Sequence, residues 1–181
     1  SRGYGRKTEG FIEATPFSKA IEIGDEPLLL FRRNSGIPLA VCEDRIEGIS
    51  KLKSSLPDCE LVILDDAFQH RRLDGDIRIL LSDYSNPWWK DSFLPAGSLR
   101  DSPGQYQRAH IIIITKCPDN LSDNEISNIR YSLRPLKNQE VFFTRTIYGQ
   151  PVHFQGPETS IQEVNSWIGI AGIAKPLPFF Q

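Results

Sequence analysis

Six short apolar runs separated by polar or helix-spaced stretches do most to limit what this chain can become. They are IPLAVC (37–42), ELVILDD (60–66), DIRILLSD (76–83), HIIIITKC (110–117), EVFFTR (140–145) and WIGIAGIA (167–174), each of strand length. Continuous rather than alternating apolarity is the habit of strands buried on both faces, as in parallel sheets. Between the first two runs, Ile46, Ile49, Leu52 and Leu56 recur at helical spacing across 43–56, and 121–133 repeats the pattern behind a Ser122 cap. Strands alternating with helices predict an α/β fold with a mostly parallel sheet flanked by helices. Segments 9–22 and 84–109 fit poorly. The first suggests a small hairpin insertion, and the second, rich in Pro, Trp, Gly and Ser, a functional loop.

A length of 181 residues suits a single α/β domain over 1–181. The formal net charge of −2 argues against a polyanion-coating protein, so nucleic acid is not expected as a partner, although Arg2, Arg6 and Lys7 form a local basic cluster. Three widely spaced cysteines, Cys42, Cys59 and Cys117, suggest neither a disulfide framework nor a zinc knuckle, and point to a reducing compartment. No apolar stretch approaches the roughly 20 residues that span a bilayer, and no signal peptide precedes the first motif. The chain opens inside a motif, SRGYGRK, and stops at GIAKPLPFFQ without an evident domain end. It reads as a fragment.

The run LVILDDAFQHRR turns abruptly from apolar to polar. Open α/β sheets gather ligands beyond the carboxyl ends of their strands, which places Asp65 and Asp66 at the working edge. Two acids there form a Walker B arrangement, able to hold Mg²⁺ against nucleotide phosphates. A receiver-type phosphoacceptor pocket carries such a pair too, and so do many solvated loops. The continuation AFQHRR adds an amide, an imidazole and two guanidiniums, which suit an anionic substrate, although Arg71 and Arg72 can equally be surface charges. SRGYGRK is either a basic turn or a flexible backbone whose Arg2, Tyr4, Arg6 and Lys7 suit a phosphate monoester. In IGDEPLLL, Asp25 and Glu26 precede Pro27 and a helical run, where an acid favours the helix dipole. A carboxylate there can also accept the proton of an attacking hydroxyl. LPAGSLRD ends in Arg100 and Asp101, fit for one anion contact and one metal-side carboxylate. TKCPD departs from the guanine-reading N-K-x-D pattern at two places, and His110 and His153, beside apolar runs, read as structural.

In this order, SRGYGRK, GDEPLLL, DDAFQHRRLDGDIRILL, LPAGSLRD, TKC and GIAKPLPFF resemble the tetraacyldisaccharide 4′-kinases, the lipid A kinases of Gram-negative bacteria. The resemblance covers nearly the whole chain, and DDAFQHRR is its most specific element. It implies a P-loop NTPase-like fold and a peripheral or anchored enzyme at the cytoplasmic face of the inner membrane. That enzyme would use ATP and Mg²⁺ to phosphorylate the 4′-hydroxyl of a tetraacyldisaccharide 1-phosphate. By the same resemblance Asp25 is the catalytic base, Asp65 and Asp66 are the metal-holding Walker B acids, and Asp101 is a metal-side acid where the family usually carries Glu. Arg2, Tyr4, Arg45, Gln69 and Arg100 match positions that hold the headgroup and its 1-phosphate, with His70 beside them.

No G-x-x-x-x-G-K-[ST] occurs, so the Walker A lysine and hydroxyl are expected before Ser1. The family's amino-terminal membrane helix and carboxy-terminal histidine-rich motif are expected outside the sequence as well. This polypeptide alone is therefore not expected to be a competent kinase. Two other classes compete. A receiver-type regulatory domain would use Asp65 and Asp66 as metal pocket, Asp83 as phosphoacceptor and Lys116 as switch lysine, but leaves SRGYGRK, GDEP and LPAGSLRD unexplained. A sugar-phosphate-binding module without chemistry would need neither Asp25 nor the Walker B pair.

Overall fold

The structure, a computed structural model, describes residues 1–147 and 149 apart from Ser35, Phe93, Ser98 and Arg100. The chain divides into two compact units, Ser1–Thr144 and Arg145–Gln181, and every element below belongs to the first. Its elements run β1 (Ile12–Glu13), α1 (Ala20–Ile23), α2 (Asp25–Arg33), β2 (Ala40–Val41), α3 (Arg45–Ser55), β3 (Ile79–Asp83), β4 (Ile111–Thr115), α4 (Asp123–Leu133) and β5 (Glu140–Phe143).

The expected parallel sheet is present as β3-β4-β5, with Ile79 opposite Ile111 and Ile111 opposite Glu140. The two longer predicted helices form where their caps say they should. Asp44 accepts from the Ile46 and Glu47 amides ahead of α3. Ser122 accepts from the Glu125 amide while the Glu125 carboxylate accepts from the Ser122 amide, a reciprocal capping box ahead of α4.

Strand alternation then decides which side chains build the core. Ile112 and Ile114 are fully buried and pack with Ala109, Cys117, Leu133 and Val141. Each such isoleucine contributes about 1.5–3 kcal/mol by leaving water. Trp88, Trp89 and Tyr106 pack against the same cluster, with the Trp88 and Tyr106 rings 5.0 Å apart. The aperiodic 84–109 segment is thus held by its aromatics and by two 3-10 turns, Trp88–Lys90 and Pro103–Arg108. The opposite face of the sheet is bare: Ile79, Leu81 and Phe142 are 49%, 61% and 50% exposed.

A second, smaller core of Ala14, Ile23, Leu28 and Val41 lies beside an antiparallel pair in which Ile12 faces Val41. The 9–22 segment therefore finds its strand partner at 40–41, outside itself.

One strand expectation is corrected. Residues 60–64 lie in no strand, and Leu61 and Ile63 are exposed. A run of this kind becomes a strand only when a neighbouring ladder takes up its amides and carbonyls. Among the described residues no strand pairs with it. The 37–42 run shortens to Ala40–Val41 for the same reason. The 167–174 run lies outside the described residues. Among the described residues no helix is long and apolar enough to cross a membrane.

Candidate functional site

The candidate site is assembled from loops around the α1–α2 corner and the start of α3. Gly24 separates the two short helices at φ 94°, and a Cβ there would lie 3.0 Å from the Tyr4 carbonyl oxygen. Only glycine lets the 1–10 loop approach so closely. Asp25 follows as the first residue of α2, exposed, its Oδ1 accepting from the Glu26 amide at 2.9 Å. With Arg32 and Arg33 in its last turn, α2 has the charge order its dipole favours, so that reading of Asp25 and Glu26 holds alongside any chemical one.

Arg45 is the first residue of α3 and is buried. Its Nη1 donates to the Cys42 carbonyl at 2.9 Å, which aims the guanidinium back across the helix start. Burial pushes its pKa down, the nearby Arg2 lowers it further, and Asp66 and Asp65 oppose both. Arg2, Asp65 and Asp66, from two separate motifs, are therefore the charged neighbours of Arg45. Arg2, Tyr4 and Gln69 are exposed and His70 is half-buried.

Asp66 takes a left-handed φ of 46°, which an aspartate tolerates better than most residues. The turn that follows closes with the His70 amide donating to the Ala67 carbonyl. Phe68 anchors it. Its ring packs against the main core and lies 4.9 Å from the Arg108 guanidinium, whose Nη2 donates to the Phe68 carbonyl at 2.6 Å. Gln139, buried, in turn donates to the Tyr106 and Ala109 carbonyls on either side of Arg108. Sequence reasoning missed Arg108 and Gln139; the available signal was an aromatic residue inside the polar run AFQHRR.

Arg71, which read as a possible surface charge, donates to Asp101 Oδ1 at 3.2 Å and so ties AFQHRR to LPAGSLRD. Asp101 is half-buried and also accepts from the Ser102 amide. Arg100 lies outside the described residues. Among the described residues no three of His, Cys, Asp and Glu stand together as a metal cluster. His110 is structural, its Nδ1 accepting from the Arg78 amide at 3.0 Å, whereas His153 lies outside the described residues.

A second charged pair marks the carboxyl ends of β3 and β4. Lys116, at φ 57°, donates to Asp83 Oδ2 at 2.8 Å, and Ser85 donates to Oδ1 through both its hydroxyl and its amide. The Lys116 bond first, then the Ser85 hydroxyl, hold the Asp83 carboxyl well below its ordinary value of 3.8. A carboxyl depressed by folding adds stability above its unfolded pKa and loses it as pH falls through the folded one. Lys116→Met is therefore expected to be less stable than wild type by at most about 1 kcal/mol at pH 7, since the pair is part-exposed. The gap should narrow as the pH drops below 3.8. Equal thermal midpoints at pH 7 would remove the pair from the stability of the sheet edge.

This pair is also what a receiver-type domain would need, so the geometry alone does not separate the readings. Comparison with known proteins does. The chain matches the family described as tetraacyldisaccharide-1-P 4′-kinase over residues 1–181. It is 43% identical over 183 residues to the tetraacyldisaccharide 4′-kinase of Cytophaga hutchinsonii, covering 100% of this chain and 51% of that protein. The corresponding proteins of Flavobacterium johnsoniae and Porphyromonas gingivalis are 39% and 40% identical, again over 100% of this chain and over 54% and 52% of their own length. The chain thus spans about half the length of these relatives. No solved structure matches it. With the family matched from the first residue to the last, this chain belongs to the tetraacyldisaccharide-1-P 4′-kinase family.

Proposed function

We propose that the full-length protein transfers the γ-phosphoryl group of ATP to the 4′-hydroxyl of a tetraacyldisaccharide 1-phosphate in lipid A biosynthesis. The present chain would supply the acceptor side of the site. One observation carries this reading: buried Arg45, held at the start of α3 by the Cys42 carbonyl, has Arg2, Asp65 and Asp66 as its charged neighbours. Guanidiniums that can grip a phosphate thereby neighbour acids that can hold a metal.

Asp65 and Asp66 fit Mg²⁺ by their chemistry. They are adjacent hard-oxygen donors, and no cluster of thiols or imidazoles competes among the described residues. Mg²⁺ held there would supply charge neutralisation to the transferring phosphoryl oxygens. Asp25 would take the proton of the attacking hydroxyl. Arg2 and Arg45 would hold the 1-phosphate, with Tyr4, Gln69 and His70 around the sugar; by family resemblance Arg100 joins them, and Asp101 lies on the metal side.

The bare sheet face supports the P-loop reading of the fold. Parallel sheets carry helices on both faces. A strand–loop–helix unit bearing the Walker lysine would cover Ile79, Leu81 and Phe142 and give residues 60–66 the ladder partner that the described residues do not supply. On this reading residues 1–181 alone are inactive. The lipid acceptor would bring the enzyme to the cytoplasmic surface of the inner membrane.

The test is a transfer assay with the full-length protein in detergent, ATP and Mg²⁺, using disaccharides with and without the 1-phosphate. Phosphate should appear at the 4′ position, with a strong preference for the 1-phosphorylated acceptor. No transfer to either acceptor overturns the reading.

A further inference from the structure

In sequence, SRGYGRK looks like a set of free phosphate donors, but Arg6 is not free. Its side chain is only 3% exposed. Its Nη2 donates to the Gly10 carbonyl at 2.7 Å and pairs with the Glu43 carboxylate, while the other Glu43 oxygen accepts from the Gly10 amide at 2.9 Å. The Arg6 amide closes a turn onto the Gly3 carbonyl. Gly3 has a φ of 72°, and a Cβ on it would sit 2.7 Å from Arg6 Cδ and 2.8 Å from the Ile23 carbonyl oxygen. The next residues bind the α1–α2 corner directly, through the Lys7 amide to the Ile21 carbonyl at 2.9 Å and the Thr8 hydroxyl to the Glu22 carbonyl.

We propose that Arg6 is a positioning residue whose ion pair with Glu43 sets Arg2 and Tyr4 against the Asp25 corner and in register with Arg45. The proposal rests on the kinase reading above. Glu43 precedes Asp44, the cap of α3, and stands two positions before Arg45, so one ion pair fixes both the 1–10 loop and the start of that helix. Arg6 Nε and Nη1 are buried without a hydrogen-bond partner, which leaves Glu43 as the carboxylate that neutralises the group. Removing Glu43 strands the buried Arg6 guanidinium, and removing Arg6 unties the 1–10 loop from the half-exposed Glu43 except through the Gly10 amide. The loop would then lose its alignment while the metal-holding acids, carried on a different segment, kept theirs.

The experiment compares Arg6→Gln, Glu43→Gln and the double variant in the full-length kinase. Each single variant should raise the lipid KM by about ten-fold, the size expected for one lost charge-assisted contact, with kcat and ATP KM within about two-fold of wild type. The double variant should be no worse than either single, because both remove the same interaction. Arg6→Lys, which keeps the charge but loses the fork, should fall between. If Arg6→Gln does not fold, Glu43→Gln and Arg6→Lys decide the matter. Amide exchange adds a readout independent of catalysis: Lys7 and Gly10 should exchange faster in the variants while β4 and α4 stay as they were. An unchanged lipid KM in an active enzyme, equal losses for ATP and lipid, or additive effects in the double variant would each overturn the positioning role. An inactive wild-type enzyme would strike the kinase reading instead, and unaltered exchange at Lys7 and Gly10 would still overturn the clamp.

Discussion

Asp25→Ala in the full-length kinase is expected to lower kcat by roughly 10²–10⁴, the usual range for losing a general base, with little change in ATP affinity. The expectation comes from an exposed carboxylate at the start of α2, on the corner that the 1–10 loop packs against. Asp25→Asn is the sharper variant. It keeps an oxygen in place to accept the Glu26 amide but cannot take a proton, so a purely structural Asp25 would leave it active. Single-turnover measurements separate this from slow product release. If Asp25→Asn turns over within a few-fold of wild type, Asp25 is a helix-start residue and nothing more.

The second large effect concerns the acid pair. Asp66 sits at a left-handed φ, where alanine would add strain unrelated to metal binding. Asp66→Asn tolerates that backbone and removes only the charge. It is expected to raise the Mg²⁺ concentration needed for half-maximal transfer by about ten-fold or more, since even outer partners of metal ligands typically cost 10–100-fold. The lipid KM measured at saturating Mg²⁺ should move far less. A superimposable Mg²⁺ titration would refute the metal assignment, and a defect confined to the lipid would move Asp66 to the substrate side.

The helices and the parallel sheet were legible in the sequence because the signals behind them are local. The Asp44 and Ser122 caps, the helical spacing of 43–56 and the apolar runs of β3, β4 and β5 are each read within one window, and each element formed with only its ends trimmed. What failed depended on distant partners. The 60–66 run has strand composition, yet a strand exists only where another chain segment completes its ladder. Arg6 and Arg45 look alike on paper, as cations in polar surroundings. Arg6 became a buried clamp through Glu43, 37 positions away, and Arg45 was buried by the fold around the start of α3. Trp88, Trp89 and Tyr106 escaped the periodicity reading because their segment packs through short 3-10 turns, which repeat at neither the strand nor the α-helix period.

The uncovered side of the β3-β4-β5 sheet also bears on how this polypeptide behaves at the bench. Ile79, Leu81 and Phe142 form an apolar strip next to a strand whose outer edge has no partner among the described residues. An open strand edge beside exposed isoleucine and leucine is a template for further strands, and identical copies are the nearest supply. Residues 1–181 expressed alone should therefore oligomerise through that edge as concentration rises. Charged substitutions at Ile79 and Leu81 would restore a monomer in the isolated segment.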